Sequence, residues 1–318
     1  MSIDGPPLDA NAPSGGSEPQ AVGERGGSQC DTVGIVGVGN MGGGMAGRLL
    51  SLGWAVQACD LVEAKVQALV AAGAQAAASP AAAAQGATAL IVCVVDASQA
   101  DDVLFGAQGA AGTLQAGTPV LLCPTIAPED TERLAARLDA LGLLPIDSPM
   151  SGGPQRALEG SMSLMVACSD AAADRAGPLL QALSSKVFRV GTRCGDGART
   201  KLVNNLLAGI NLVGAAEAIA MAERLGLDAR RTLDVIEQSS GQSWIGSDRM
   251  RRALEGDYEP RAHVTLLQKD TRLAVEAATR AGFQGPLGSA ARDVFAQAAD
   301  AGLAQQDDAA VLQVIRAA

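Results

Sequence analysis

The most constraining feature of this chain is Gly34-Ile-Val-Gly37-Val-Gly39-Asn40-Met41-Gly42, which continues an apolar run beginning at Thr32. A short β-rich run that ends in GxGxxG and passes into an amphipathic stretch reads as strand, tight turn and helix. Gly37 allows the turn, Gly39 lets the main chain approach a pyrophosphate, and Gly42 lets helix and strand pack closely. The start of the helix adds unpaired N–H groups and the positive end of the helix dipole. The next strand closes on Asp60. A carboxylate there can accept hydrogen bonds from both ribose hydroxyls and repel a 2′-phosphate, so the expected cofactor is NAD, with NADP disfavoured. GxGxxG alone is common in Gly-rich loops, and it is the strand–turn–helix context that separates this one from a structural turn beside a chance acid.

The alternation continues beyond the turn. The runs 32–38, 55–60, 89–95, 119–123 and 143–147 read as strands, and 41–52, 61–72, 98–104 and 128–141 as helices. Further strands are expected at 161–168 and 186–190, flanking a helix near 171–183. Strands alternating with helices predict a parallel, doubly wound Rossmann-type sheet with helices on both faces. After Gly195 the strand signals stop. A long apolar-periodic stretch over 198–225 and helices near 228–238, 264–281, 288–301 and 307–316 predict a smaller all-α domain. The expected division is a disordered tail over 1–30, the dinucleotide-binding domain over 31–194 and the helical domain over 195–318, with Gly191, Gly195 and Gly197 at the junction.

Composition removes several classes of function. A net charge of −10 argues against nucleic-acid or anionic-membrane partners. No run of continuous apolar residues reaches the ~18–20 of a membrane span, and the tail lacks the apolar region of a signal peptide. The six cysteines Cys30, Cys59, Cys93, Cys123, Cys168 and Cys194 stand far apart with no CxxC, and read as reduced thiols of a cytoplasmic protein. With His263 as the one histidine, no metal site is expected, and a general base must come from Lys, Asp, Glu, Tyr or Cys. Of 24 basic residues only Lys65, Lys186, Lys201 and Lys269 are lysine. Where Arg serves for ordinary surface charge, a Lys is more often needed as an amine that can lose its proton.

Three further motifs bear chemistry. In Asp147-Ser-Pro-Met-Ser151-Gly152-Gly153-Pro154, the Ser151 hydroxyl and the Gly152 and Gly153 N–H groups could cradle a carboxylate. From spacing alone, the same stretch reads equally as a Ser/Gly/Pro connector. Lys201 and Asn205 lie one helical turn apart on one face, among Leu202, Val203, Leu206 and Leu207. A helical Lys is ordinarily a solvated surface residue, but the domain junction is where ligand clefts form. Lys269-Asp270 could reach the cofactor or be a surface pair, and Trp244 could line a pocket or a core. His263 reads as structural, and Glu217 and Glu223 as solvated or paired charges.

In order along the chain, Gly37-Val-Gly-Asn-Met-Gly42, Pro124-Thr125, Asp147-Ser-Pro-Met-Ser-Gly-Gly153, Lys201-Leu-Val-Asn-Asn205 and Lys269-Asp270 resemble the β-hydroxyacid dehydrogenase family over roughly residues 31–316. The segment from Ser243-Trp244 through Arg249-Met250 to Arg261 resembles one branch of that family most. The resemblance implies an NAD-dependent oxidoreductase acting on a small 3-hydroxy acid and assembling as a homodimer or homotetramer. It implies Lys201 as catalytic residue. Gly37, Val38, Gly39, Asn40, Met41, Gly42, Asp60, Thr125 and Lys269 would hold the cofactor, and Ser151, Gly152, Gly153 and Asn205 the substrate. Two departures stand out: Ala262 replaces a Phe found in some members, and Pro124 replaces the usual Ser. The rival class, a dinucleotide-binding protein without turnover, has no need of an ionisable amine at Lys201.

Overall fold

The computed structural model describes residues 31–317; the tail expected over 1–30, with Cys30, lies outside them. The first half runs β1 (Thr32–Val36), α1 (Asn40–Ser51), β2 (Ala55–Cys59), α2 (Glu63–Ala71), β3 (Gln75–Ala76), α3 (Pro80–Ala84), β4 (Ala89–Val92) and α4 (Ala97–Phe105). It continues through β5 (Pro119–Leu122), α5 (Pro128–Ala140), β6 (Leu144–Asp147), β7 (Met150–Ser151), α6 (Gly153–Glu159), β8 (Ser163–Ala167), α7 (Asp170–Leu183) and β9 (Lys186–Gly191). The second half is helical: α8 (Asp196–Arg224), α9 (Ala229–Glu237), α10 (Trp244–Glu255), α11 (Val264–Arg280), α12 (Pro286–Ala298) and α13 (Val311–Ala317).

The sheet order is β3-β2-β1-β4-β5-β6-β8-β7, with β9 beside β8. The strands from β1 to β6 pair in parallel, which makes the doubly wound order whose switch point lies between β1 and β4. Successive strand residues point to opposite faces. Val33, Ile35, Ile91 and Leu121 pack with Met45 and Leu49 of α1 and Leu179 and Leu183 of α7. Val36, Leu90, Val92 and Leu122 pack on the other face with Leu104 of α4 and Leu134 and Leu138 of α5. Burial on both faces explains why these strands read as unbroken apolar runs.

The far edge departs from the all-parallel expectation. β8 runs antiparallel to β6 and β7, because the chain leaves β6 through Pro149, forms α6 and turns back beside its own path. Periodicity also missed β3, β7 and α3, which at two, two and five residues are too short to show it. α10 was missed for another reason: its buried face includes Gly246 and Arg252, which hide the apolar pattern. Helix starts follow local chemistry. Ser79, Asp96, Ser169, Asp228 and Ser243 each accept a backbone N–H as N-cap, a contact worth about 0.5–2 kcal/mol apiece.

In the second half, α9 to α13 surround α8. By length and composition α8 could cross a membrane, but Leu212, Ala216 and Ile219 on it pack against Phe295, Val311 and Leu312 as the centre of a helical core. Among the described residues no strand follows β9. A single bridge, His263 to Asp307, ties the start of α11 to the segment before α13.

Candidate active site

The Gly-rich turn sits at the switch point. Gly37 N–H donates to the Cys59 carbonyl at 2.9 Å and Cys93 N–H to the Val36 carbonyl at 2.8 Å, so the ends of β1, β2 and β4 are drawn together. Gly37 has φ +89°, and a Cβ there would lie 2.3 Å from the Cys93 carbonyl oxygen. A Cβ on Gly42 would lie 1.9 Å from the Gly37 carbonyl oxygen, so no side chain is tolerated at the base of α1. Above the turn the situation reverses: a Cβ on Gly39 meets nothing nearer than the Lys65 amine at 3.9 Å. That open space, beside the unpaired N–H groups that begin α1, is what a pyrophosphate requires. Asp60 completes the cradle. Its carboxylate accepts the Val38 N–H at 2.8 Å and the Val62 N–H at 2.9 Å, which fixes its position and leaves further lone pairs for ribose hydroxyls. The residues present therefore fit a dinucleotide.

The junction is held by an acid to which sequence reasoning assigned no role. Asp147, at the end of β6, is 1% exposed and accepts the Gly195 N–H at 2.8 Å and the Ala198 N–H at 2.9 Å. It thus caps α8 from outside the helix. A Cβ on Gly197 would lie 2.8 Å from the Asp147 Cγ, so this approach requires glycine. Burial pushes the Asp147 carboxyl up to about 6, against the downward pull of the N–H groups it accepts.

From that anchored end, α8 carries Lys201 and Asn205 inward, each 8% exposed. Burial lowers the Lys201 amine below the ordinary lysine range; Asp270 opposes this and Lys269 adds to it. Asn205 donates to Asp270 at 2.6 Å and accepts from the Asn204 amide at 3.0 Å. Asp270 is 6% exposed and also pairs with the Lys269 amine at 2.8 Å. Lys269 in turn donates to the Thr125 carbonyl, past the end of β5. One network therefore joins α8, α11 and the sheet. Lys269-Asp270 is not a solvated pair, and the role of Asp270 was missed because a lysine–acid neighbour on a helix looks like ordinary surface.

Ser151 ends β7, Gly152 follows and Gly153 opens α6, all half-buried, with Gly152 at φ +134° and Gly153 at φ +79°. N–H groups at the start of a helix have no intrahelical partner, so this turn can present them to an anion. Trp244 opens α10 and is half exposed, which excludes the core role. Its ring lies 5.0 Å from the Arg156 guanidinium and 6.0 Å from that of Arg249. Asn40 reaches the Arg261 carbonyl at 3.5 Å, a direct link from the cofactor turn to the helical half. His263 contacts the Gln305 carbonyl at 3.0 Å, and Glu223 pairs with Arg316 at 2.5 Å. Among the described residues no cluster of His, Cys, Asp and Glu could hold a metal ion.

Comparisons with known proteins identify the family. Residues 32–191 match the family described as the NAD binding domain of 6-phosphogluconate dehydrogenase. Residues 195–315 match the family described as NAD-binding of NADP-dependent 3-hydroxyisobutyrate dehydrogenase. The chain is 39% identical to the L-threonate dehydrogenase of Cupriavidus necator, covering 89% of this chain and 95% of that one. It is 33% identical to the NAD-dependent L-serine dehydrogenase of Pseudomonas aeruginosa, covering 86% and 94%. The crystal structure of 3-hydroxyisobutyrate dehydrogenase from Salmonella typhimurium superposes with a TM-score of 0.85 at 38% identity, covering 89% of this chain and 99% of that one. The chain belongs to the β-hydroxyacid dehydrogenase family and is an NAD(P)-linked oxidoreductase.

Proposed function

We propose that this protein oxidises a small 3-hydroxy acid of the L-threonate or 3-hydroxyisobutyrate type with NAD, and that Lys201 moves the hydroxyl proton. The observation that carries the reading is the burial of Lys201 on α8 beside a network that runs from Asn205 through Asp270 and Lys269 to Thr125. When bound, the nicotinamide accepts the hydride leaving the hydroxyl-bearing carbon. Gly37, Val38, Gly39, Asn40, Met41, Gly42 and Asp60 hold the pyrophosphate and ribose, and Thr125 and Lys269 flank the nicotinamide end. Asp60 selects NAD, since a 2′-phosphate would meet a carboxylate. Ser151, Gly152 and Gly153 grip the substrate carboxylate, and Asn205 orients the hydroxyl.

Proton transfer needs the neutral amine for oxidation and the ammonium for reduction. Because burial lowers the Lys201 pKa, the oxidation rate rises with pH along a limb below the ordinary lysine range, and the reduction rate falls along the same limb. A homodimer or homotetramer would cover Val203, Leu207 and Met221, which are 58–70% exposed along α8. Five free thiols among the described residues suit a reducing cytoplasm.

The test is NADH formation by purified protein against L-threonate, D-threonate, 3-hydroxyisobutyrate, D-glycerate and L-serine, with NADP and the reduction of tartronate semialdehyde in parallel. Turnover of one acid with NAD, falling by about 10²–10⁴ in Lys201→Ala while NAD affinity is kept, is the expected result. Near-full turnover in Lys201→Ala would remove the lysine from the mechanism. No turnover on any acid by the wild type would overturn the substrate assignment.

A further inference from the structure

The carboxylate cradle proposed above contains no charged side chain, and the cations of the buried network and of α10 are already committed. Lys269 pairs with Asp270 at 2.8 Å, and Lys201 must be neutral to act as a base. Arg249 donates to Asp308 at 2.5 Å and also to Asp248. Arg156 differs. It lies midway along α6, with its stem against the cradle: a Cβ on Gly152 would stand 3.0 Å from the Arg156 Cδ and 3.3 Å from its Cβ. Its guanidinium lies 5.0 Å from the ring centroid of Trp244, which the helical half supplies. Among the described residues it has no ion-pair or hydrogen-bond partner, although the residue is partly buried. A guanidinium over an indole ring is held by the ring quadrupole and keeps in-plane N–H donors for a planar anion.

Resting on the proposed function, we infer that Arg156 determines specificity by holding the substrate carboxylate, with Trp244 fixing the guanidinium from the opposite side of the cleft. The carboxylate then receives the Ser151 hydroxyl and the Gly152 and Gly153 N–H groups on one side and a bidentate guanidinium on the other. The ligand class is a small monocarboxylate, and the second half of the molecule contributes to its recognition through Trp244 without touching the reacting carbon.

Steady-state kinetics of wild type, Arg156→Gln and Arg156→Lys with NAD and the acid the wild type turns over test this, together with inhibition by isobutyrate, a carboxylate without the reacting hydroxyl. The expected result for Arg156→Gln is a KM about 10- to 100-fold higher, an isobutyrate inhibition constant raised by a similar factor, and a smaller effect on kcat. Arg156→Lys should recover part of the loss through its charge. An unchanged KM and inhibition constant in Arg156→Gln would overturn the role of Arg156 and leave the proposed function intact. A loss shared equally by kcat and KM and not relieved in Arg156→Lys would also overturn it, since that pattern belongs to a structural support for Trp244. A wild type that oxidises none of the acids would overturn the proposed function and this inference together.

Discussion

The two halves of the molecule bury polar groups in opposite ways. Among the described residues of the sheet half the buried polar ones are Thr118, Thr131, Asp147, Ser148 and Ser184, a single charge among them. In the helical half they are Lys201, Asn205, Arg252, Asp270, Thr271, Asp307 and Asp308. A parallel sheet satisfies its backbone internally and is covered on both faces, so it needs little besides aliphatic packing. The helical half is smaller and has less apolar area to bury, and ionic contacts clasp it as well. Arg252 pairs with Asp307 at 2.8 Å, and Arg249 with Asp308 at 2.5 Å, fixing the segment before α13 to α10. The comparison teaches where chemistry can arise. The sheet half carries the open Gly39 turn, and the helical half carries most of the desolvated titratable groups.

The largest stability effect should come from breaking the clasp. Asp307 is fully buried, and although burial pushes its carboxyl up, the Arg252 contact, the Arg261 and Ala309 N–H groups and Arg249 hold it below its ordinary value. Removing Arg252 takes away the nearer of its two cations and leaves Arg249 at 3.7 Å, so Arg252→Ala should lose about 3 kcal/mol in denaturant unfolding. Replacing both partners, as Arg252→Met with Asp307→Asn, removes the pair while keeping an acceptor for the Arg261 and Ala309 N–H groups, and should recover part of the loss; if the double change is as damaging as the single one, the loss is not one of charge pairing.

A smaller effect concerns the buried acid of the sheet half. Asp147 is raised to about 6, chiefly by burial. The folded state therefore binds its proton more readily than the unfolded chain does, and this contribution is full below the unfolded carboxyl value and is lost as pH rises through the folded one. Relative to Asp147→Asn, the wild type should lose about 2–3 kcal/mol of stability between about pH 4 and about pH 7. Parallel stability curves for the two proteins would show that Asp147 is better solvated than its 1% exposure implies.

The smallest effect sharpens the contrast. Ile91, in β4, is fully buried among aliphatic side chains. Ile91→Val should cost about 0.5–1.5 kcal/mol, with no dependence on pH or salt. A pH-dependent loss there would mean that the sheet half is coupled to the buried charges of the other half.

Most of the fold could be read from the chain because β1, β2, β4, β5 and β6 are apolar runs separated by amphipathic helices, a pattern that needs no tertiary knowledge. The Gly37 turn could be read because its glycines are demanded by backbone approach. What escaped depended on distant contacts. The burial of Arg252 in α10 becomes intelligible only with Asp307, 55 positions away. Asp270 becomes a buried hinge of the network only with Asn205, 65 positions away. The cap of α8 by Asp147 likewise joins positions 51 apart. The scarcity of lysine was the one compositional signal that set Lys201 apart, and Lys201 is buried, whereas nothing in the local pattern around Arg156 marks it out.

That scarcity also makes the central claim directly measurable. With lysines enriched in ¹³C at Cε, an NMR titration follows four side chains, Lys65, Lys186, Lys201 and Lys269, and Lys201→Met identifies the resonance that disappears. The account predicts that the Lys201 signal titrates clearly below the ordinary lysine value of about 10.4, at the same pH as the limb in the oxidation rate. A Lys201 signal that titrates with exposed lysines, while the enzyme still turns over its acid near neutral pH, would contradict it.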